Sequence, residues 1–353
     1  MKAGILGLPG SGRRTLFSLL THVVATGSTR EAQLGVLKIP DERLQELSRL
    51  HASKSVVPAT IQFTLVPGLV KGESKEKLDL PALKVVDVLV HVVRGFEEPS
   101  VAHPEGTVDP ARDIETVELE LTIADLSLVE RRLERLQADR GKGKKVDSRE
   151  LAALERARAS LAEGTPLRSV LTDEEQAQLR GYALLTSKPL LLVVNVGEDD
   201  VGAEDLPRRL GLEGWLKAPK ARLGFVSAKI EAEMAELPPE DAQAFRENLG
   251  LSENTVGRIV SAAFELLDMI TFYTSETKES RAWVIPRGTP ASAAAGVIHS
   301  DIERGFIRAE VVSYDVMRTH GSWSACREKG AMRLEGKDYP IADGDVVVFR
   351  FNV

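Results

Sequence analysis

The residues best placed to do chemistry stand at the start of the chain, where an apolar run, Lys2–Leu8, leads into GLPGSGRRT. Gly7 and Gly12 have the spacing of a phosphate-binding loop, G-x-x-x-x-G-K-[ST]. A strand, such a loop and a following helix gather backbone N–H groups at a helix N-terminus, where oriented amides and the helix dipole attract phosphate. Glycine is needed because the backbone must approach oxygen atoms with no Cβ in the way. The lysine position holds Arg13 and the hydroxyl position holds Arg14. These residues read either as a phosphate cradle over Gly7, Pro9, Gly10, Ser11, Gly12, Arg13, Arg14 and Thr15, or as a tight strand-to-helix turn with no ligand.

The elements that must position this loop are legible as apolar runs. Lys2–Leu8 predicts a buried strand and TLFSLLTHVV, Thr15–Val24, a helix after the glycine loop. LGVLKIP, ATIQFTLVP, VVDVLVHVVRGF, PLLLVVNV and RLGFVSAK follow, bounded by Pro, Gly and charge, with helical pieces between several of them. That alternation predicts an α/β domain with a largely parallel sheet. From about Asp113 to Leu185 the pattern changes to a helical seam, Ile114, Val117, Leu121, Ala124 and Leu128. The register then slips to Leu126, Val129, Leu133 and Leu136, and a second helix returns through Leu151, Leu154 and Leu161. RGKGKK, Arg140–Lys145, is the predicted tip of this hairpin, which is inserted between two strands of the sheet. After about Thr271, RAWVIP, GFIRAEVVSY and DVVVFRFNV alternate as strands, predicting a small β-rich C-terminal domain.

Bulk composition narrows the class. The 353 residues favour two or three domains, and 43% apolar with 28% charged residues is a soluble globular profile. A net charge of -7 argues against a generally basic nucleic-acid binder but leaves room for a local basic face. Cys326 is the one cysteine, so no intramolecular disulfide is expected, and a reducing, cytoplasmic location is. No signal peptide is expected, and no apolar run reaches the ~18 residues of a membrane span.

Further motifs carry a resemblance. Asn195-Val196-Gly197-Glu198 follows an apolar strand where a GTPase carries N-K-x-D. Ser227-Ala228-Lys229 follows the next strand, as the last base-binding loop should. Pro67-Gly68-Leu69-Val70-Lys71-Gly72 stands where a D-x-x-G switch is expected. With HVVR, RLEGKDY and the FNV end, the chain resembles the YchF/Obg-like ATPase family from Met1 to Val353. The resemblance implies a P-loop G domain with a mostly parallel sheet over residues 1–112 and 186–270, a helical coiled-coil insert over 113–185, and a β-grasp-like TGS domain over 271–353. It also implies ATP preferred over GTP, since Asn195 and Glu198 keep the N-x-x-E pattern that goes with adenine. Gly68, Val196, Ser227, Ala228 and Lys229 join the nucleotide site by the same resemblance. His103, in HPEGTV, matches a family histidine proposed to orient the attacking water. The implied partner is a ribosome or RNA, with no membrane and no DNA specificity. Basic residues available to it are Arg140, Lys142, Lys144 and Lys145 at the hairpin tip and Arg304 and Arg308 in the C-terminal domain.

Departures from the family fall on the chemistry. Arginine's planar fork at Arg13 cannot occupy a lysine's space. At Arg14 a guanidinium replaces the hydroxyl that ligates Mg²⁺, and it repels a cation. The carboxylate of the family's D-x-A-G-L has become Leu65. No Mg²⁺ ligand set is therefore expected. The first switch is shortened, leaving Thr29 as the match to a metal-sensing threonine. Losing one preorganised charge-stabilising group commonly costs ~2.7–4 kcal/mol, so hydrolysis is expected to be lost or very weak. A P-loop nucleotide-binding protein acting as a weak or non-hydrolysing, ribosome- or RNA-associated regulatory module is the leading expectation. An atypical active ATPase and a nucleotide-free protein scaffold stand beside it.

Overall fold

A computed structural model describes residues 1–26, 31–68, 80–248 and 255–352. Two compact units emerge, Met1–Leu37 with Gln62–Leu266, and Lys38–Ile61 with Leu267–Val353. The segment Lys38–Ile61, expected inside the first part of the G domain, thus clusters with the C-terminal domain. The described strands are β1 (Lys2–Leu6), β2 (Gln33–Lys38), β3 (Val56–Val57), β4 (Thr60–Leu65), β5 (Val88–Gly95), β6 (Leu190–Val196), β7 (Ala221–Val226), β8 (Met269–Ser275), β9 (Ser280–Pro286), β10 (Phe306–Ser313), β11 (Arg333–Glu335) and β12 (Asp345–Phe351).

The first unit is built on a sheet of order β2-β4-β1-β5-β6-β7, with the pairs from β4 to β7 parallel. Burial on both faces explains why β5 and β6 read as continuous apolar runs rather than alternating ones. The first helix runs Arg13–Thr21, starting two residues and ending three residues before the expected Thr15–Val24. Gly12 caps its start, and His22 enters the left-handed region at φ 57 to end it, leaving Val24 exposed.

His91 is a polar exception in β5. It is 1% exposed and neither ring nitrogen has a partner among the described residues. Burial, with Arg168 nearby, lowers its pKa to about 3, so it folds as neutral imidazole. The unfolded chain takes up a proton below its ordinary pKa of about 6.5, which the folded chain refuses. Stability is therefore lost as pH falls from about 6.5 towards 3. Between pH 7 and 5 this single group is expected to remove about 2 kcal/mol. Thermal melts of His91→Leu against wild type across that range should show a shallower acid slope in the variant; parallel slopes would refute the assignment.

The inserted hairpin consists of helices Pro110–Gly141 and Ser148–Ala162. Asp109 and Asp147 cap their starts through the Arg112 and Arg149 amides. The slip in the apolar seam has a physical cause: one helix serves two cores. Ile114, Val117 and Leu121 pack on the sheet, whereas Val129, Leu133 and Leu136 pack against Leu154, Ala157 and Leu161 of the returning helix. Between them lies buried Asp125, accepting hydrogen bonds from the Leu185 and Thr186 amides at 2.9 and 2.8 Å and from the Thr186 hydroxyl at 2.7 Å. The Arg168–Glu118 pair, buried at 2.6 Å, holds the hairpin's other end.

The second unit carries a sheet of order β11-β10-β12-β8-β9-β3. Its central pair, β12 and β8, is parallel, and β10–β12 and β8–β9 are antiparallel. Helix Glu42–Leu50 packs on this sheet, with Leu44 and Leu47 fully buried among Tyr273, Met317, Cys326 and Val346. Asp41 caps that helix through the Leu44 amide and accepts the Tyr273 hydroxyl at 2.6 Å.

Candidate functional site

Three strand ends build the site: the loop after β1, the end of β6 and the end of β7. In the first loop Gly7, Gly10 and Gly12 have φ of 148, 77 and 90, which only glycine adopts without strain. A Cβ on Gly7 would collide with the Val92 carbonyl, and one on Gly12 with the Asn195 amide. The first helix has no side-chain cap and no acidic residue in its first turn, so its leading amides, at Arg13, Arg14 and Thr15, have no intrahelical acceptor. The anion-attracting geometry of a phosphate loop is intact.

Asn195 ties the three loops together. Its Nδ2 donates to the Ser11 carbonyl at 3.1 Å, and its Oδ1 accepts the Ala228 amide at 2.9 Å, all buried. Val196 is a core residue of the sheet. Glu198 and Lys229 form an exposed pair at 2.5 Å, and that hydrogen bond raises the Lys229 pKa. Ser227 is buried at the helix start, its hydroxyl without a partner among the described residues, as is that of Ser11.

Arg13 behaves unlike a phosphate-loop lysine. It is 8% exposed, and Nη1 donates to the Val66 carbonyl at 2.5 Å. Nη2 lies against Gly68, where a Cβ would come within 2.5 Å of it, and Pro9 flanks the same spot at 3.0 Å. The guanidinium is thus packed between the phosphate loop and the Val66–Gly68 turn. Burial, then neighbouring Arg14, lowers its pKa to about 10, which leaves it charged at neutral pH.

The adjoining cleft, lined by Arg13, Arg14, Glu31, Gln33, Leu65 and Pro67, holds only about 10 Å³, room for at most one water. Mg²⁺ requires octahedral oxygen ligands and keeps several waters. Here Leu65 is 3% exposed and apolar, and among the described residues lining the cleft the one carboxylate, Glu31, shares it with two guanidiniums. These residues do not fit Mg²⁺. Among the described residues no group of three or more His, Cys, Asp or Glu comes together elsewhere as a metal site.

The His103 side chain is 4% exposed, with Nε2 at 2.8 Å from Asp113 Oδ2 and Nδ1 accepting the Glu105 amide at 3.1 Å. Since Nδ1 accepts, Nε2 carries the proton and donates it to Asp113. Both ring nitrogens are engaged within the chain, and the imidazole fastens its loop to the start of the long helix. Thr29 and Leu69–Gly72 lie outside the described residues.

Two participants were not among the expected site residues. The Val66 carbonyl is a backbone group. Arg94, 3% exposed, donates to the carbonyls of Phe96, Glu98 and Val101 at 3.0, 3.1 and 2.9 Å and lies close to Gly10. A charge closing an apolar strand, as in HVVR, is the signal for it, because a buried guanidinium must find acceptors. Arg140, Lys142, Lys144 and Lys145 are exposed at the hairpin turn, Lys144 pairing with Asp139 at 2.7 Å. Arg304 pairs with Asp301, and Arg308 lies 3.8 Å from Glu310.

The sheet order, the glycine loop and the asparagine tie define a P-loop protein of the G-domain class, with a helical insert and a β-rich C-terminal domain. Known proteins agree. A family model, YchF-GTPase_C, described as a protein of unknown function (DUF933), matches residues 269–352. Ribosome-binding ATPase YchF of Bacillus subtilis (strain 168) is 40% identical over 367 residues, covering 100% of both chains. Obg-like ATPase 1 of Rattus norvegicus is 32% identical, covering 100% of this chain and 92% of that one. The structure of the Schizosaccharomyces pombe YchF GTPase superposes with a TM-score of 0.83 at 28% identity, covering 99% of this chain and 97% of that one. The chain belongs to the YchF family.

Proposed function

We propose that this chain is a ribosome-associated regulatory member of its family that binds adenine nucleotide without Mg²⁺ and does not hydrolyse it. The observation that carries this reading is the Arg13 guanidinium, buried against the Val66 carbonyl beside Leu65. A cation of the chain itself stands where the family's metal shell would be. What remains is binding: the free amides of the first helix, the glycine backbone and the positive charge of Arg13 and Arg14 all favour phosphate. Glu198, held by Lys229 at the end of β6, stands where a guanine-reading aspartate would be, which favours ATP over GTP. His103 acts here as a positioning residue for its loop. The C-terminal domain is read as a TGS domain, and it and the hairpin as the partner-binding parts. The relatives named ribosome-binding ATPases support the ribosome as that partner.

The test is sedimentation of the full chain with purified ribosomes through a sucrose cushion. At low salt, in the Mg²⁺ that keeps ribosomes assembled, it should travel with ribosomes equally with and without ATP. A chain that stays in the supernatant removes the ribosome from this reading, and one released by ATP with Mg²⁺ removes the metal-independent part.

A further inference from the structure

We infer that the uncovered end of one face of the C-terminal sheet is a phosphate-binding site for RNA, built from Arg308, Arg327 and Arg350. This rests on the ribosome-associated reading and names the surface that would carry it. Strand alternation puts the residues together. β10 and β12 pair with Arg308 opposite Arg350, and β10 and β11 pair with Glu310 opposite Leu334. Ala309, Val311, Val347 and Phe349 turn to the core on the opposite face. Further along β10 and β12, Val312 and Val346 are buried with Met317 and Cys326 of the helices Tyr314–His320 and Trp323–Glu328. Arg308 and Arg350 occupy the end those helices leave open, and Arg327, in the last turn of Trp323–Glu328, reaches the same place.

Glu310 organises the cluster. Its side chain is 6% exposed, and Arg350 forks onto both carboxylate oxygens at 3.0 and 2.9 Å. Those hydrogen bonds hold Glu310 below the usual carboxylate range, so it is ionised. Arg327 and Arg308 approach the same carboxylate at 3.6 and 3.8 Å, too far for hydrogen bonds, and are 60% and 51% exposed. Glu310 serves three guanidiniums and Glu276 also acts on Arg350, which leaves the cluster a local positive excess on a chain whose net charge is -7. Arginine forks match phosphate bidentately, and guanidiniums held near their final position lose less freedom on binding. Leu334, 58% exposed on the edge strand, adds an apolar surface beside the charges, and the ribosome-associated reading selects RNA as the occupant.

The test uses the full chain with Arg308→Gln and Arg327→Gln together, leaving the Arg350–Glu310 anchor in place. The probes are a fluorescein-labelled single-stranded RNA of mixed sequence and purified ribosomes. The double variant should bind the RNA about ten-fold or more weakly, with its log–log salt slope reduced by about 1.4. Arg308→Lys with Arg327→Lys should recover the salt slope, which separates charge from misfolding. Arg318→Gln, on a separate helix against Tyr314, should bind as wild type does. Glutamine variants that bind RNA and ribosomes as wild type does overturn this site and leave the ribosome reading standing. Loss of ribosome binding with RNA binding unchanged overturns the RNA assignment in favour of an acidic protein. A wild type that binds neither probe brings down both readings.

Discussion

Expressed alone, residues Leu267–Val353 are expected to be largely unfolded at room temperature, although the family model matches 269–352 as a unit. That piece lacks the helix Glu42–Leu50, whose Leu44 and Leu47 are 0% exposed against Tyr273, Met317 and Val346. Truncating one buried leucine to alanine costs about 2–5 kcal/mol, and here two are removed entirely. The Asp41–Tyr273 and His51–Ser275 hydrogen bonds, both at 2.6 Å, go with them, as does the pairing of β3 with β9. A domain of this size has only about 5–15 kcal/mol of stability to lose. Adding Lys38–Ile61 as a peptide, or joining it by a linker, should restore dispersed amide resonances and cooperative urea unfolding. A fragment that unfolds cooperatively without the peptide would show that the two pieces are independent.

The second large effect concerns the nucleotide site. Arg13→Lys alone is expected to leave ATP binding indifferent to Mg²⁺, because Arg14 still repels the metal and Leu65 still offers it no oxygen. Arg13→Lys, Arg14→Ser and Leu65→Asp together remove the guanidinium from the Val66–Gly68 turn, return a hydroxyl and return a carboxylate. The triple variant should bind ATP at least about ten-fold more tightly with Mg²⁺ than without, a gain of about 1.4 kcal/mol or more. The terms are coupled through one metal and are not expected to add singly. Equal recovery by the single variant would mean that phosphate contact, not metal ligation, is what this chain lacks.

Much of the architecture was legible in the amino-acid order. The continuous apolar runs that became β5 and β6, the glycine spacing of the phosphate loop and the helical insert between two strands of the sheet all follow from local pattern and burial. The destination of Glu42–Leu50 was not legible. Its apolar face is plain in the spacing of Leu44 and Leu47, but amphipathicity says only that a face is buried, not against which sheet. The seam that slipped near Leu126 was visible as an irregularity, and its cause, one helix shared by two cores, needed the fold. At the site, the replacements at Arg13, Arg14 and Leu65 could be read directly. The place taken by the Arg13 guanidinium could not, because its partner is the Val66 carbonyl and every residue has one. His103 was visible as a motif, while its pairing with Asp113, ten residues on at a helix start, depends on how the loop folds back.

If Arg13 and its neighbours have replaced metal-dependent chemistry with metal-free binding, ATP affinity is indifferent to Mg²⁺. Isothermal calorimetry of the wild-type chain with ATP, once with Mg²⁺ and once with the metal chelated, tests it most directly. The same affinity within about two-fold is expected in both titrations, with no phosphate released during either. ATP bound about ten-fold or more tightly with Mg²⁺, accompanied by phosphate release that Gly12→Val abolishes, would contradict it.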